Sequence, residues 1–291
     1  MAGIIVCVGD LMVDVHARLP GPLAVGSDTP APVSFLPGGS AANTACWLAW
    51  LGVPVLFAGR VGDDPAGRDA VLALQAAGVR TRVATDPLAP TGACIVLVDP
   101  AGERTMIPSA GANGALVPED LAGLVGSEDQ LHLSGYSLLN EGSRPAALAI
   151  LAEARAAGAG ISVDAASAAP IRSVGRDTLL GWLPAGTLLI ANAAELAALT
   201  EHADPAELTG RGLTVVVKDG PAGARVADRR GVRRIGTVAS RALDSTGAGD
   251  AFAAGLLAAR RAGAELDAAV GEGNRTAGQA LGILGGRPPS A

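Results

Sequence analysis

Three observations predict an α/β fold: a central, mostly parallel sheet flanked by helices on both faces, with a small β-sheet lid. Short apolar runs closed by small or polar residues recur, as in "IIVCVGD", "PVLFAG", "QLHLSG", "AGISVDA", "TLLIAN" and "LTVVVKDG", which is the pattern of strands buried on both faces. Helical periodicity fills the intervals, in "SAANTACWLAWLG", "AGRDAVLALQAAG", "SRPAALAILAEARAAG" and "AAELAALT", so crossover helices cover both sides of the sheet. Two stretches break the alternation: a Pro- and Gly-rich one at about 11–37, and one at about 91–108 where "ACIVLVD" and "RTMIP" flank the turn "PAGE" as a β-hairpin would. These are the expected lid segments, inserted in a single domain spanning 1–291.

Composition narrows the function. With 49% apolar and 17% charged residues the chain has ample material for a core. Net charge is −6 and no basic block exceeds a pair such as Arg229-Arg230, so no nucleic-acid partner is expected. The N-terminal apolar run is too short for a signal peptide or a membrane span, which predicts a cytoplasmic protein with no membrane partner. Cys7, Cys46 and Cys94 are far apart and form no C-x-x-C pattern, so they read as small buried hydrophobes rather than a disulfide or zinc set. Of 22 basic residues only Lys218 is a lysine, and no G-x-x-x-x-G-K-[ST] precedes it, which excludes a P-loop NTPase. The first strand runs into "VGDLMVD" and lacks the G-x-G-x-x-G of a dinucleotide-dependent oxidoreductase.

Two glycine clusters carry the chemistry. In "DSTGAGDAFAAG" (244–255) a helix starting near Gly247 leaves the amides of Gly247, Ala248 and Gly249 unpaired at the positive end of its dipole, an anion hole for a transferred phosphoryl group. Asp250 then stands in the first turn as a base for a hydroxyl proton. The plainer alternative is an N-cap with a dipole-favouring acid. In "PGGSAANTACWLAWLG" a second helix opens near Ser40, a candidate cap, with Asn43 in its first turn to meet substrate hydroxyls. Asp10 and Asp14 follow the first strand in what reads as one loop, and carboxylates there suit vicinal diols. His16, His132 and His202 show no ligand spacing. Trp47 and Trp50 read as core packing, Asp63 and Asp64 as a helix cap, and "SFLPGG" with Phe35 as a closing edge of the lid.

The clusters near 38 and 247 resemble the two signatures of the ribokinase-like (PfkB) carbohydrate kinases, whose second signature D-[ST]-[ST]-G-[AG]-G-D is met in full by Asp244 to Asp250. "GRVGDDPAG" (59–67), "GER" and "GAN" (102–113), "LSGY" (133–136), "ANAAE" (191–195) and "VVVKDGPAGARV" (215–226) follow in family order. The resemblance implies a ribokinase-like fold and ATP-dependent transfer of the γ-phosphoryl group to a hydroxymethyl group of a small sugar. It further implies Asp250 as base, the Gly247, Ala248 and Gly249 amides as anion hole, and Asp14, Gly38, Gly39 and Asn43 as sugar-binding residues. Asn192, Glu195, Lys218, Gly220 and Gly223 fall on the nucleotide side, Glu195 influencing Mg2+ indirectly. Asp244 matches the acid of a monovalent-cation (K+) site, and related enzymes are often homodimers through the lid. Met12 stands where ribokinases proper carry an Asn, which argues against ribose itself. A nucleoside acceptor is the alternative, although three Trp, one Tyr and three Phe leave few rings to stack a base. A non-catalytic sugar-binding regulator would lack Asp250.

Overall fold

The computed structural model describes residues 3–237, 245–283 and 285–289. Its strands are β1 (Ile5–Val8), β2 (Met12–Arg18), β3 (Val33–Gly38), β4 (Val55–Gly62), β5 (Arg80–Asp86), β6 (Gly92–Val98), β7 (Arg104–Ser109), β8 (Gln130–Ser134), β9 (Gly160–Asp164), β10 (Leu188–Asn192), β11 (Thr214–Lys218), β12 (Ala224–Asp228) and β13 (Gly231–Ile235). Nine form one sheet in the order β13-β12-β11-β10-β9-β8-β1-β4-β5, parallel except for the β12–β13 hairpin at one edge. The other four form a second sheet, β3-β2-β6-β7, in which β2 pairs parallel to β6 and the remaining pairs are antiparallel.

Strand parity builds two cores from one sheet. Along β1, Val6 and Val8 pack with Leu133, Ile150 and Leu151 beneath the helix Arg144–Ala157. Ile5 and Cys7 point the other way, to Trp47, Phe57 and Leu74 beneath the helices Ser40–Trp50 and Pro65–Ala76. Successive side chains must alternate faces, so a strand apolar at every position needs cover on both sides. A third cluster packs Ile190, Val216 and Val226 against Phe252, Leu256 and Val270 of the helices Ala248–Arg261 and Leu266–Ala280. The parallel register brings Asp164 opposite Ile190 and Asn192 opposite Lys218 at the strands' carboxyl ends, where ligands bind in such sheets.

Two expectations need correction. Asp14 lies on β2 rather than in a loop, because "MVDVHAR" alternates in burial once β3 and β6 pair with it. Phe35 is not on the site side of the lid. It pairs with Val15 and is 73% exposed, whereas Leu36 pairs with Asp14 and turns inward. Asp64 does cap a helix, as the sequence suggests: its carboxylate accepts from Gly67 N (2.7 Å), and also from Thr91 N (2.7 Å) and Thr91 Oγ1 (2.7 Å) across the turn.

Burial opposes ionisation of Asp64, but the bonds from Thr91 and Gly67 hold its pKa below the ordinary carboxylate value. A depressed carboxylate stabilises the fold above its unfolded pKa and ceases to do so as pH falls through the folded one. Asp64→Ala should therefore cost about 1–2 kcal/mol at neutral pH, seen as a lower urea midpoint at unchanged slope. The deficit should shrink below about pH 4.

Candidate active site

Two helix starts, far apart in sequence, meet at the carboxyl end of the sheet. The helix Ser40–Trp50 begins after Gly39, whose φ of 98° and closeness to the Asp10 carbonyl (2.1 Å from where a Cβ would stand) leave room for no side chain. The helix Ala248–Arg261 begins after Gly247, at φ 72°, where a Cβ would stand 2.4 Å from Gly286 Cα. Ala251 N closes the first helical bond onto the Gly247 carbonyl (2.8 Å), and Ala248 N makes only a long 3.4 Å bond to Ser245 O. The amides of the 247–249 turn thus precede the hydrogen-bonded helix and stand at its positive end.

Asp250 is held from the facing helix. Ser40 Oγ donates to its Oδ1 (2.8 Å) and Asn43 Nδ2 to its Oδ2 (3.0 Å). Ser40 is therefore not a cap: it is the first helical residue and spends its hydroxyl on Asp250. Asp250 keeps some accessible surface, yet its carboxyl lies deep enough that burial pushes its pKa up to about 7. The Asp164 charge adds to that rise, while the bonds from Asn43 and Ser40 and the Lys218 charge oppose it. Such a carboxylate is matched to proton transfer at neutral pH.

On one side of Asp250 lie the groups suited to hydroxyls. Asp14 is buried, its carboxyl pressed against Gly38, where a Cβ would fall 2.2 Å from Asp14 Oδ1. Burial raises its pKa to about 6 against the opposing charge of Arg287. Arg287 Nε donates to Asn43 Oδ1 (3.2 Å) and its Nη2 to Gly38 O (3.3 Å), which fixes the Asn43 amide with Nδ2 toward Asp250. Trp47 is buried as expected, but Trp50 is exposed and only meets it edge-on; Trp47 Nε1 also donates to Gly286 O (3.0 Å) and anchors this C-terminal segment.

On the other side lies a compact charge cluster. Lys218 Nζ pairs with Asp164 Oδ2 (2.8 Å) and stands 3.1 Å from where a Gly249 Cβ would be, so an ammonium borders the 247–249 turn. Burial lowers the Lys218 pKa, but Asp164 and Glu195 more than offset this and hold it charged. Glu195 and Asn192 form a reciprocal cap on the helix Ala193–Leu199, with Asn192 N on Oε2 (2.7 Å), Asn192 Nδ2 on Oε1 and Glu195 N on Asn192 Oδ1 (2.9 Å). Burial and the Asp164 charge push the Glu195 pKa to about 7. Gly220 opens the short turn after β11, and Gly223 closes it at φ 89°, with Ile235 O 2.2 Å from a would-be Cβ. Arg104, on the lid strand β7, reaches Ser245 Oγ (2.8 Å) and Thr246 Oγ1.

The predicted residues Asp14, Gly38, Gly39, Asn43, Asn192, Glu195, Lys218, Gly220, Gly223 and 247–250 thus all lie at this end of the sheet. Asp244 lies outside the described residues. Sequence reasoning missed Asp164, Arg104 and Arg287. Asp164 carried a usable signal, a carboxylate closing the apolar strand "ISVD"; Arg287, in "GGRPP", carried none. His132 is sealed in the core on Ser162 Oγ (3.1 Å), and no group of three or more metal-binding side chains occurs among the described residues.

The fold superposes on an adenosine kinase from Sinorhizobium meliloti (TM-score 0.85, 26% identity, 100% of this chain and 97% of that one). It also superposes on a fructokinase from Vibrio cholerae solved with fructose, ADP and calcium (TM-score 0.79, 25% identity, 98% and 94%). The molecule is a ribokinase-like phosphotransferase acting on an alcohol group. Residues 4–290 match the family model "pfkB family carbohydrate kinase", and the chain belongs to that family. Similar curated proteins include an ATP-dependent ribose-1-phosphate kinase of Halopiger xanaduensis, 37% identical over 76% of this chain and 72% of its own length. A fructokinase of Vibrio alginolyticus is 33% identical over 76% of each.

A raised carboxylate pKa carries a sign. Between the unfolded value and about 7 the folded state holds the Asp250 proton more tightly, so this group makes stability fall as pH rises through that window. Asp250→Asn should remove that share, and its stability relative to the parent should climb between about pH 4 and 7 and then level off. Urea melts across the range measure it; a flat difference would mean Asp250 titrates as an ordinary carboxylate.

Proposed function

We propose that this protein transfers the γ-phosphoryl group of ATP to a hydroxymethyl group of a small sugar. The observation that carries the reading is the Asp250 carboxylate, poised near neutrality and held by Ser40 and Asn43 beside the free helix start at 247–249. Asp250 takes the proton of the attacking hydroxyl, and the amides of Gly247, Ala248 and Gly249 with the Lys218 ammonium stabilise charge on the migrating group. Asp14, Asn43 and the Gly38-Gly39 turn hold the sugar's other hydroxyls. Asn192, Glu195, Gly220 and Gly223 border the nucleotide.

Asp164 and Glu195 are hard oxygen donors near enough that the Asp164 charge adds to the effect of burial on Glu195, and such a donor set fits Mg2+. These two, with Asn192, would hold the ion, directly or through water, and when bound it supplies charge neutralisation to the ATP phosphates. The second sheet acts as a lid over the acceptor, with Arg104 tying it to the Ser245 and Thr246 hydroxyls and so helping to exclude water. A K+ requirement through Asp244 is the reading the signature supports, and exchanging potassium for lithium tests it by rate. Three free cysteines, all buried, fit a reducing cytoplasm.

A homodimer through the lid is supported by one cross-strand row. Phe35, Val15, Ile95 and Ile107 are consecutive partners across the sheet, and three of them are 73%, 45% and 53% exposed. An apolar row of this kind on the outward face suits a self-complementary contact.

Two measurements test the reading. A coupled ATP-consumption screen over pentoses, hexoses, sugar acids, sugar phosphates and nucleosides should find its best acceptor among the sugars; best turnover on a nucleoside would establish the alternative. Asp250→Asn should lower kcat by roughly 10²- to 10⁴-fold with ATP binding retained, and the parent's kcat should rise with pH through an apparent pKa near 7. Parental turnover in that variant would remove Asp250 from the chemistry. For the dimer, Ile95→Glu should yield monomers by sedimentation if the row is the interface.

A further inference from the structure

Arg287 is a cation that no described carboxylate pairs with. Three other half-buried arginines each meet carboxylates: Arg60 meets Asp86 and Asp120, Arg225 meets Asp219, and Arg233 meets Asp228 and Asp267. Arg287 forms no ion pair with a described carboxylate. Its two hydrogen bonds are long and go to neutral oxygens, Asn43 Oδ1 at 3.2 Å and Gly38 O at 3.3 Å, and its Nη1 is buried with no partner. Asp14 lies near enough to feel its charge but does not pair with it, and the neighbouring Cys46 is a thiol whose ionisation burial opposes. Burial works against the Arg287 charge as well. Charges withdrawn from water are as a rule paired, because an unpaired one costs several kcal/mol. No described residue supplies a charged partner for this guanidinium, which leaves it available to a bound anion.

Its position says which molecule brings that partner. Arg287 touches Asn43, which donates to the Asp250 base, and Gly38, which carries the Asp14 carboxyl against its backbone. It belongs to the acceptor side of the cleft, away from the Asp164–Lys218 cluster of the nucleotide side. A neutral sugar offers hydroxyls, which Asp14 and Asn43 already serve. An oxyanion offers the charge and the paired acceptor oxygens that a planar guanidinium fork matches best. We propose that the preferred acceptor carries a phosphate or carboxylate group in addition to the hydroxyl it presents for transfer, and that Arg287 receives that group. The proposal rests on the phosphotransferase reading above and adds the charge class of its substrate.

The test compares matched acceptors with the intact enzyme and ATP: ribose with ribose 1-phosphate, fructose with fructose 1-phosphate, and glucose with gluconate. In at least one pair the charged member should have the higher kcat/KM by about tenfold or more, the effect of one charge-assisted hydrogen bond. The phosphate and carboxylate arms distinguish the two oxyanions. Arg287→Met should reduce the charged-to-neutral ratio by a similar factor, and Arg287→Lys by less, whatever the variants lose on both members together. Preference for the neutral member in every pair, or a ratio unmoved in Arg287→Met, would overturn the proposal while leaving the kinase reading intact. Absence of turnover on every acceptor, charged, neutral or nucleoside, would overturn both. The parent's preference alone decides the matter should either variant fail to fold.

Discussion

The constraint on which the rest of the structure depends is the burial of one carboxylate between two helix starts. Ser40 and Asp250 are 210 positions apart, yet their side chains meet at 2.8 Å. That contact demands close helix packing, which Ala41, Ala42 and Ala45 on one helix and Ala251 and Ala254 on the other permit, all fully buried in the same cluster. It also demands entries that take no room, which Gly39 and Gly247 provide. The segment Gly286-Arg287 closes the arrangement, with Gly286 so near the Asn43 amide that a Cβ would fall 2.4 Å from Nδ2. Removing the carboxyl from water disfavours its charge, and two donated hydrogen bonds restore only part of the difference. Burial, with the Asp164 charge adding to it, leaves the pKa at about 7. The packing that sets the geometry at Asp250 is thus also the main source of its basicity.

A second electrostatic arrangement lies at the ends of β9, β10 and β11, and its logic differs. Here Asp164, Lys218 and Glu195 share a small volume with one more negative than positive group. Asp164 raises both Glu195 and Asp250, and Lys218 opposes both shifts. The cluster thus acts on Asp250 through its field. A bound polyphosphate would add negative charge to a region already crowded with it. The ammonium facing the 247–249 turn, and a divalent cation if bound by Asp164 and Glu195, would offset that charge. A cation at that end of the cluster would lower the Asp250 pKa by the same field through which Asp164 raises it, so cation binding and ionisation of Asp250 would favour one another.

Much of this was legible in the sequence. Apolar runs closed by small residues locate β1, β4, β8, β9, β10 and β11, because strands buried on both faces need uniform apolarity. The two glycine clusters locate the helix starts, because close backbone approach leaves no alternative to Gly at 39 and 247. The β12–β13 hairpin was not read as an edge of the sheet: "GVRRI" carries two arginines, one of which, Arg233, is spent on Asp228 and Asp267. Asp14 was misread as a loop residue because strand pairing with β3 and β6, not local propensity, defines β2. Arg287 follows no period and lies in a tail of Gly and Pro. Its position beside Asn43 depends on Trp47 and Asn43, some 240 positions earlier, which hold the segment in place.

The lid extends the same dependence on register. Along β2, Met12, Asp14 and His16 are buried on the face toward the cleft, while Val13, Val15 and Ala17 look outward. One strand therefore carries the buried Asp14 carboxylate on one face and part of an exposed apolar row on the other. Seven consecutive partners with β6 and six with β3 fix this parity from both sides. A slip by one residue would expose Asp14 and bury Val15 in its place, removing the carboxyl from Gly38 and breaking the apolar row at once. Register matters more on such a two-faced strand than on one with a single buried face, because neither face tolerates the other's residues.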